Sequence, residues 1–175
     1  MLNRTTLVGI FFCFVTVAML WGQIVRSTSG AVANLEATQG SSVKGTVTFE
    51  EVDEKVRVTA TLSGLRAGKH GFHIHDKGDC SARDASSAGG HYNPDNLKHG
   101  SPEFSERHTG DLGNLEADVY GQASLTRTYD LLSLEGAKAI VGKAVIVHVE
   151  VDDFRTQPTG DAGARVACGV IERVP

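Results

Sequence analysis

Beyond residue 30 the chain alternates apolar and polar residues with a period of two. Val43 to Phe49 and Val56 to Leu62 both alternate, and the acidic stretch Glu50 to Lys55 between them predicts a β-hairpin. Ala31 to Ala37 is a short strand upstream. Gly71 to Asp76 is another, with His73 and His75 at i and i+2 and therefore on one face. Asn114 to Asp118, Ala123 to Tyr129, Ala144 to Val151 and Ala164 to Ile171 complete eight strands. No helical stripe follows residue 30. Short strands with Gly-marked turns predict an all-β antiparallel barrel or sandwich.

Two segments break this regularity. Leu7 to Leu20 is an apolar run behind Arg4, extendable to Val25 across Gly22 and Gln23. It reads as the core of a signal peptide or as a signal anchor retained in the membrane. Residues 1–28 are therefore assigned to targeting, and residues 29–175 to one folded domain. The second segment, Lys77 to Gly113, has almost no apolar periodicity. A loop that long needs something other than a hydrophobic core to order it.

Composition narrows the reading. The 175 residues are 41% hydrophobic and 22% charged, enough apolar content for a packed core. Net charge is −4 over the whole chain. Arg4 and Arg26 precede every acidic residue, so the chain without its first 33 residues carries −6. With no basic cluster, nucleic acid is excluded as a partner. Cys13 lies in the targeting segment, which leaves Cys80 and Cys168 as a pair. In an exported protein that predicts a disulfide; two buried thiols are the alternative. Closing a loop of 88 positions would contribute roughly 4–5 kcal/mol in the chain-entropy model. The one Asn-x-Thr sequon, Asn3-Arg4-Thr5, lies in the targeting segment, so no N-glycan is expected on the domain.

The chemistry sits in the histidines. His91, His99, His108 and Asp111 fall within 21 residues of the long loop and form a complete tetrahedral donor set for zinc. Such a closed site would order the loop. His73, His75 and His148 lie on strands, and an all-imidazole set suits copper in both oxidation states. These seven residues are one donor short of two four-coordinate metals. Either one imidazole bridges both ions through its two nitrogens, or one ion takes a water. His70, the remaining histidine, reads as structural.

Five motifs carry a family resemblance: Gly71-Phe-His-Ile-His-Asp76, Ala88-Gly-Gly-His-Tyr-Asn-Pro94, His108-Thr-Gly-Asp-Leu-Gly-Asn114, Val147-His148 and Gly160-Asp-Ala-Gly-Ala-Arg-Val-Ala-Cys-Gly-Val170. In this order, from Ala31 to Ile171, they resemble the copper/zinc superoxide dismutases. The resemblance implies an eight-stranded antiparallel Greek-key barrel with a long metal-binding loop. It implies copper on His73, His75, His91 and His148, zinc on His91, His99, His108 and Asp111, and His91 as the bridge. It further implies Asp152 as a carboxylate linking a copper and a zinc histidine, Arg165 beside the copper, and a Cys80–Cys168 disulfide. His91 and Arg165 would be the catalytic residues. Superoxide would be the substrate, converted to O2 and hydrogen peroxide in antioxidant defence outside the cytosol. A homodimer is expected. Secretion is the expected location, with membrane tethering through residues 7–25 or a bacterial periplasm as alternatives.

Arg165 also has a rationale in charge. An acidic protein repels an anionic substrate unless a local cation draws it in. The chain departs from well-known cytosolic members in the loop between His148 and Arg165, which has 16 residues and Pro158 where a channel lysine would stand. Arg155 is the only other cation in that loop, and is expected to replace the lysine in part. The early Cys80, directly after Gly78-Asp79, resembles the bacterial-style spacing more than the cytosolic eukaryotic one, so a subunit interface does not transfer. Two other functions compete: a secreted metal buffer without turnover, and a structural barrel. No ligand is missing, which disfavours the structural barrel, and Arg165 disfavours the buffer. A copper chaperone would need a Cys-x-x-Cys segment, which the chain lacks.

Overall fold

The computed structural model describes residues 30–174. The targeting segment at residues 1–28, with Cys13 and the sequon, lies outside the described residues. Eight strands follow in order: β1 (Gly30–Ala37), β2 (Lys44–Val52), β3 (Lys55–Ser63), β4 (Gly68–His75), β5 (Asp111–Ala117), β6 (Ala123–Tyr129), β7 (Ala144–His148) and β8 (Arg165–Arg173). They close into a barrel in the order β1-β2-β3-β6-β5-β4-β7-β8, every pair antiparallel. The expected all-β barrel is the fold found. The only helical element among the described residues is a 3₁₀ turn at Ser86–Ala88, and none of their helices is long and apolar enough to cross a membrane.

Alternation explains the interior. β3 buries Val56, Val58, Ala60 and Leu62, while Arg57 and Thr61 between them face out. Val47 and Phe49 of β2, Phe72 and Ile74 of β4 and Val145 and Val147 of β7 join the same core. The predicted turn at Glu50–Lys55 is shorter than expected: β2 and β3 pair through Val52↔Lys55. Only Asp53 and Glu54 remain in the turn, with φ of 49° and 61°. Two consecutive left-handed residues match the strands' right-handed twist.

Other strand ends also shift. β4 starts at Gly68 rather than Gly71 and ends at His75, while β7 stops at His148 rather than Val151. Register breaks between Phe72 and His73 against β5, and between Val147 and His148 against β8. Bulges re-aim side chains locally, and both flank a histidine.

The long loop now spans residues 76–110. It lies on the outer face of β4 and β7. There Ala85, Ala88, Ala144, Ile146, Cys168 and Cys80 form a small apolar cluster apart from the barrel core. Cys80 and Cys168 are bonded, with Cα atoms 5.8 Å apart, tying the loop to β8. Backbone bonds thread the loop on the end of β4: Tyr92 N–H donates to Ile74 O at 2.8 Å, Ile74 N–H to Gly110 O at 2.8 Å and Gly110 N–H to Tyr92 O at 2.9 Å. A Cβ on Gly110 would stand 2.2 Å from Ile74 O, so this approach requires glycine. Lys143 clamps the same corner. Its Nζ donates to Asp76 Oδ1 at 2.9 Å and lies 4.4 Å from the Tyr92 ring centre.

Candidate metal centre

β4 is buried on both faces. Phe72 and Ile74 enter the core; His73 and His75 point outward, under the loop. His148, at the end of β7, reaches the same layer, and an isolated bridge sets His91 opposite His75. All four histidines are buried. Their ligating atoms lie within 4.8 Å of one another. A second such group consists of His73, His91, His99 and Asp111. The structure thus brings both His73 and His91 into both groups; of these, His91 has Nδ1 3.0 Å from Asp111 Oδ1 and Nε2 without a partner. His108 is left just outside the second one: its Nδ1 stands 3.3 Å from Asp111 Oδ1, and its ring centre 5.5 Å from those of His91 and His99.

Hydrogen bonds decide which nitrogen of each ring is free. His75 Nδ1 donates to Gly89 O at 2.8 Å and His148 Nδ1 to Gly163 O at 3.0 Å, leaving both Nε2 lone pairs facing each other at 3.4 Å. His73 Nε2 donates to Asp152 Oδ2 at 2.8 Å, and His99 Nε2 bonds Asp152 Oδ1 at 2.9 Å. One carboxylate therefore fixes a ring in each group. Four buried nitrogens have no hydrogen-bond partner: His73 Nδ1, His91 Nε2, His99 Nδ1 and His108 Nδ1. His99 Nδ1 is only 3.0 Å from Asp111 Oδ1, yet makes no hydrogen bond with it. The distance is short and the direction wrong for a hydrogen bond. Atoms that converge without pairing are aimed at a common point, which is what metal ligands do.

Electrostatics support the same fit. Burial pushes His73 down to about 3 and His148 to about 4, helped by mutual repulsion with His91. His75 and His91 are also held below the ordinary imidazole value, chiefly by burial. These rings are neutral at pH 7 and keep their lone pairs. Burial opposes charge on Asp111, but the close imidazoles of His108, His91 and His99 outweigh it and hold the carboxyl well below the usual range. Asp152 is lowered to about 2 because His73 and His99 outweigh its burial. Burial likewise opposes charge on His99, but Asp111 and Asp152 lift it to about 9. A cation entering this pocket must displace that proton. Buried neutral imidazoles on one side, with three imidazoles and a carboxylate on the other, suit copper and zinc respectively.

Three supports lie within the quoted motifs, but sequence alone assigns them no role. Gly89 O accepts from His75 and also from Arg165 Nη2 at 2.6 Å, while Arg165 Nη1 donates to Ala85 O. Arg165 is thereby held against the loop that carries His91. It faces His148 across the β7–β8 pairing. Asn114 clamps the Asp152 backbone, accepting its N–H at 2.8 Å and donating to its carbonyl at 3.0 Å. Gly160 lies so close that a Cβ would stand 1.9 Å from Asp152 Oδ1 and 2.6 Å from His99 Nε2. The ring nitrogens of His70 lie 2.9 and 2.8 Å from the carbonyls of His148 and Arg66.

Fold and site define a β-barrel protein with two adjoining imidazole-rich pockets on the outside of its wall. A family model for copper/zinc superoxide dismutase matches residues 43–171. The chain belongs to the copper/zinc superoxide dismutase family, whose members are oxidoreductases that use copper and zinc. It is 44% identical over 136 residues to an extracellular superoxide dismutase of Caenorhabditis elegans; the match covers 74% of this chain and 61% of that one. It is 46% identical over 142 residues to the extracellular enzyme of Drosophila melanogaster, covering 77% and 78% of the two chains. A copper/zinc superoxide dismutase of Brassica juncea is 45% identical over 147 residues, 80% of this chain and 95% of the relative. The crystal structure of the clock protein EA4 superposes with a TM-score of 0.76 at 40% identity, covering 83% of this chain and 94% of that chain.

Proposed function

We propose that the protein is an extracellular superoxide dismutase. His73, His75, His91 and His148 hold copper, and His91, His99, His108 and Asp111 hold zinc, with His91 shared. What carries this reading is the set of four buried imidazole nitrogens without a hydrogen-bond partner, two in each pocket. When bound, copper supplies the one-electron cycle that oxidises one superoxide to O2 and, with two protons, reduces a second to hydrogen peroxide.

The residues divide the remaining work. Arg165 supplies a fixed positive charge and N–H donors for the incoming anion, in a chain whose net charge is −4. The Ala85 and Gly89 carbonyls hold that guanidinium in place. His91 Nε2, which has no hydrogen-bond partner, would be the atom that holds copper and that takes up a proton, while Nδ1 lies 3.0 Å from Asp111 Oδ1. Asp152 keeps the rings of His73 and His99 in one tautomer and orientation. Arg155 is exposed in the short loop before β8 and adds a weaker steering charge.

Residues 1–28 serve as the export signal or anchor of the 29–175 domain. The extracellular relatives and the disulfide favour export. The secreted form is a homodimer, which sedimentation of the purified protein checks. The experiment that tests the function pairs metal analysis with superoxide decay across ionic strength. About one copper and one zinc per chain, with fast decay that slows in salt, is the expected result. Full metal loading without decay would make the protein a metal buffer.

A further inference from the structure

The loop between β7 and β8 contains a contact that the roles proposed for copper, zinc and substrate do not use. Gln157 Oε1 accepts the backbone N–H of His99 at 2.8 Å, and Gln157 Nε2 donates to the His99 carbonyl at 2.9 Å. Among the described residues, nothing else pairs with the backbone of His99. The histidine sits in irregular chain and takes part in no strand ladder.

We infer that Gln157 is a positioning residue for the zinc pocket: its side-chain amide stands in for a missing strand partner and fixes the backbone of His99. This rests on the zinc assignment above. The other members of the pocket are held differently. His108 is anchored by Asp111, whose Oδ2 accepts the His108 N–H at 2.9 Å and whose own N–H donates to His108 O at 3.2 Å. His91 is set by its bridge to His75 on β4. Of the three, His99 alone takes its backbone support from the β7–β8 loop, through Gln157.

The arrangement has a precedent within the same site. Asn114 clamps the Asp152 backbone by the same pair of bonds. Asp152 then bonds His99 Nε2 at 2.9 Å. One short segment, Asp152 to Gln157, therefore holds His99 at three atoms: N–H, carbonyl and Nε2. The one polar atom left is Nδ1, which lies 3.0 Å from Asp111 Oδ1 without bonding it. A third bond, from Gln157 Nε2 to Arg155 O at 3.2 Å, keeps the amide from rotating. Both backbone groups of His99 are polar and would need new partners if the amide were lost.

The test uses the full secreted protein with Gln157→Leu, which keeps the shape without the hydrogen bonds, and Gln157→Glu, which keeps only the acceptor for the His99 N–H. Cobalt(II) loaded at the zinc position reports ligand geometry in its visible absorption bands. Competition with a chelator reports zinc affinity, and the copper EPR spectrum serves as the control. Positioning predicts shifted cobalt bands and zinc affinity weaker by about tenfold or more in Gln157→Leu. It also predicts a smaller loss in Gln157→Glu and an unchanged copper spectrum in both. Cobalt bands and zinc affinity within twofold of the parent would overturn the role. If the parent takes up no cobalt there, the zinc assignment falls and the role falls with it.

Discussion

The two faces of β4 live by different rules. Phe72 and Ile74 enter an apolar interior that needs nothing but burial. One residue away, His73 and His75 enter a layer of imidazoles, carboxylates and loop backbone. The inner face is ordered by the hydrophobic effect, roughly 25 cal/mol for each Å² of apolar surface removed from water. The outer layer has only a small apolar cluster and a disulfide, and its converging nitrogens repel protons and one another. Without ions it is a set of groups poised for ligands; with them it becomes a second core.

The sharpest way to separate the two is to damage the inner one. Phe49 is fully buried in the barrel and far in sequence from any metal candidate. Phe49→Ala should cost about 3–5 kcal/mol in urea unfolding of the metal-free protein. The folded variant should bind copper and zinc with unchanged spectra. Altered spectra would mean the two layers are not separable.

Removing zinc attacks the outer layer instead. Amide exchange in residues 76–110 should then speed up by at least about tenfold, while β2 and β3 keep their protection. Equal loosening of barrel and loop would show that the ion supports the whole fold.

Acid should distinguish the layers more gently. In the metal-free protein His73 and His148 are depressed to about 3 and about 4 from 6.5. The unfolded chain takes up protons as pH falls through 6.5, while the folded site resists until about 4 and then about 3. Stability is therefore present above 6.5 and drains away as pH falls through this window. The urea midpoint should drop between pH 7 and pH 4.5. A flat or rising midpoint would contradict the buried neutral rings.

The smallest effect is assigned to Arg155. Arg155→Gln should slow superoxide decay by about twofold at low salt and make it less salt-sensitive. No change in either would remove Arg155 from the steering role and leave it to Arg165.

Most of the inner layer was legible in the chain because its signal is periodic. Eight alternating runs gave eight strands, and errors gathered where alternation breaks. β7 ends three residues early, beside the bulge at His148, and β4 starts three residues early because Gly68, Lys69 and His70 pair regularly with β5. β5 begins at Asp111 rather than Asn114 because its ladder reaches back into the polar loop, where no apolar pattern marks it. In the outer layer, residue type exposed the histidines and Asp111. Their supports stayed hidden. Gln157 is one polar residue in a polar loop, which nothing in the sequence distinguishes from ordinary loop chemistry, and Gly89, though inside a quoted motif, contributes only a carbonyl that no residue type reveals. His108 was read as an equal member of the zinc set, yet it stands slightly apart from the tightest group.

The account stands on His91 facing two ions at once. Crystals of protein loaded with both metals, with anomalous maps collected at the copper and zinc edges, test this directly. The prediction is one copper peak on the Nε2 side of the His91 ring and one zinc peak on the Nδ1 side. A single occupied pocket, or two peaks that do not share that ring, would contradict it.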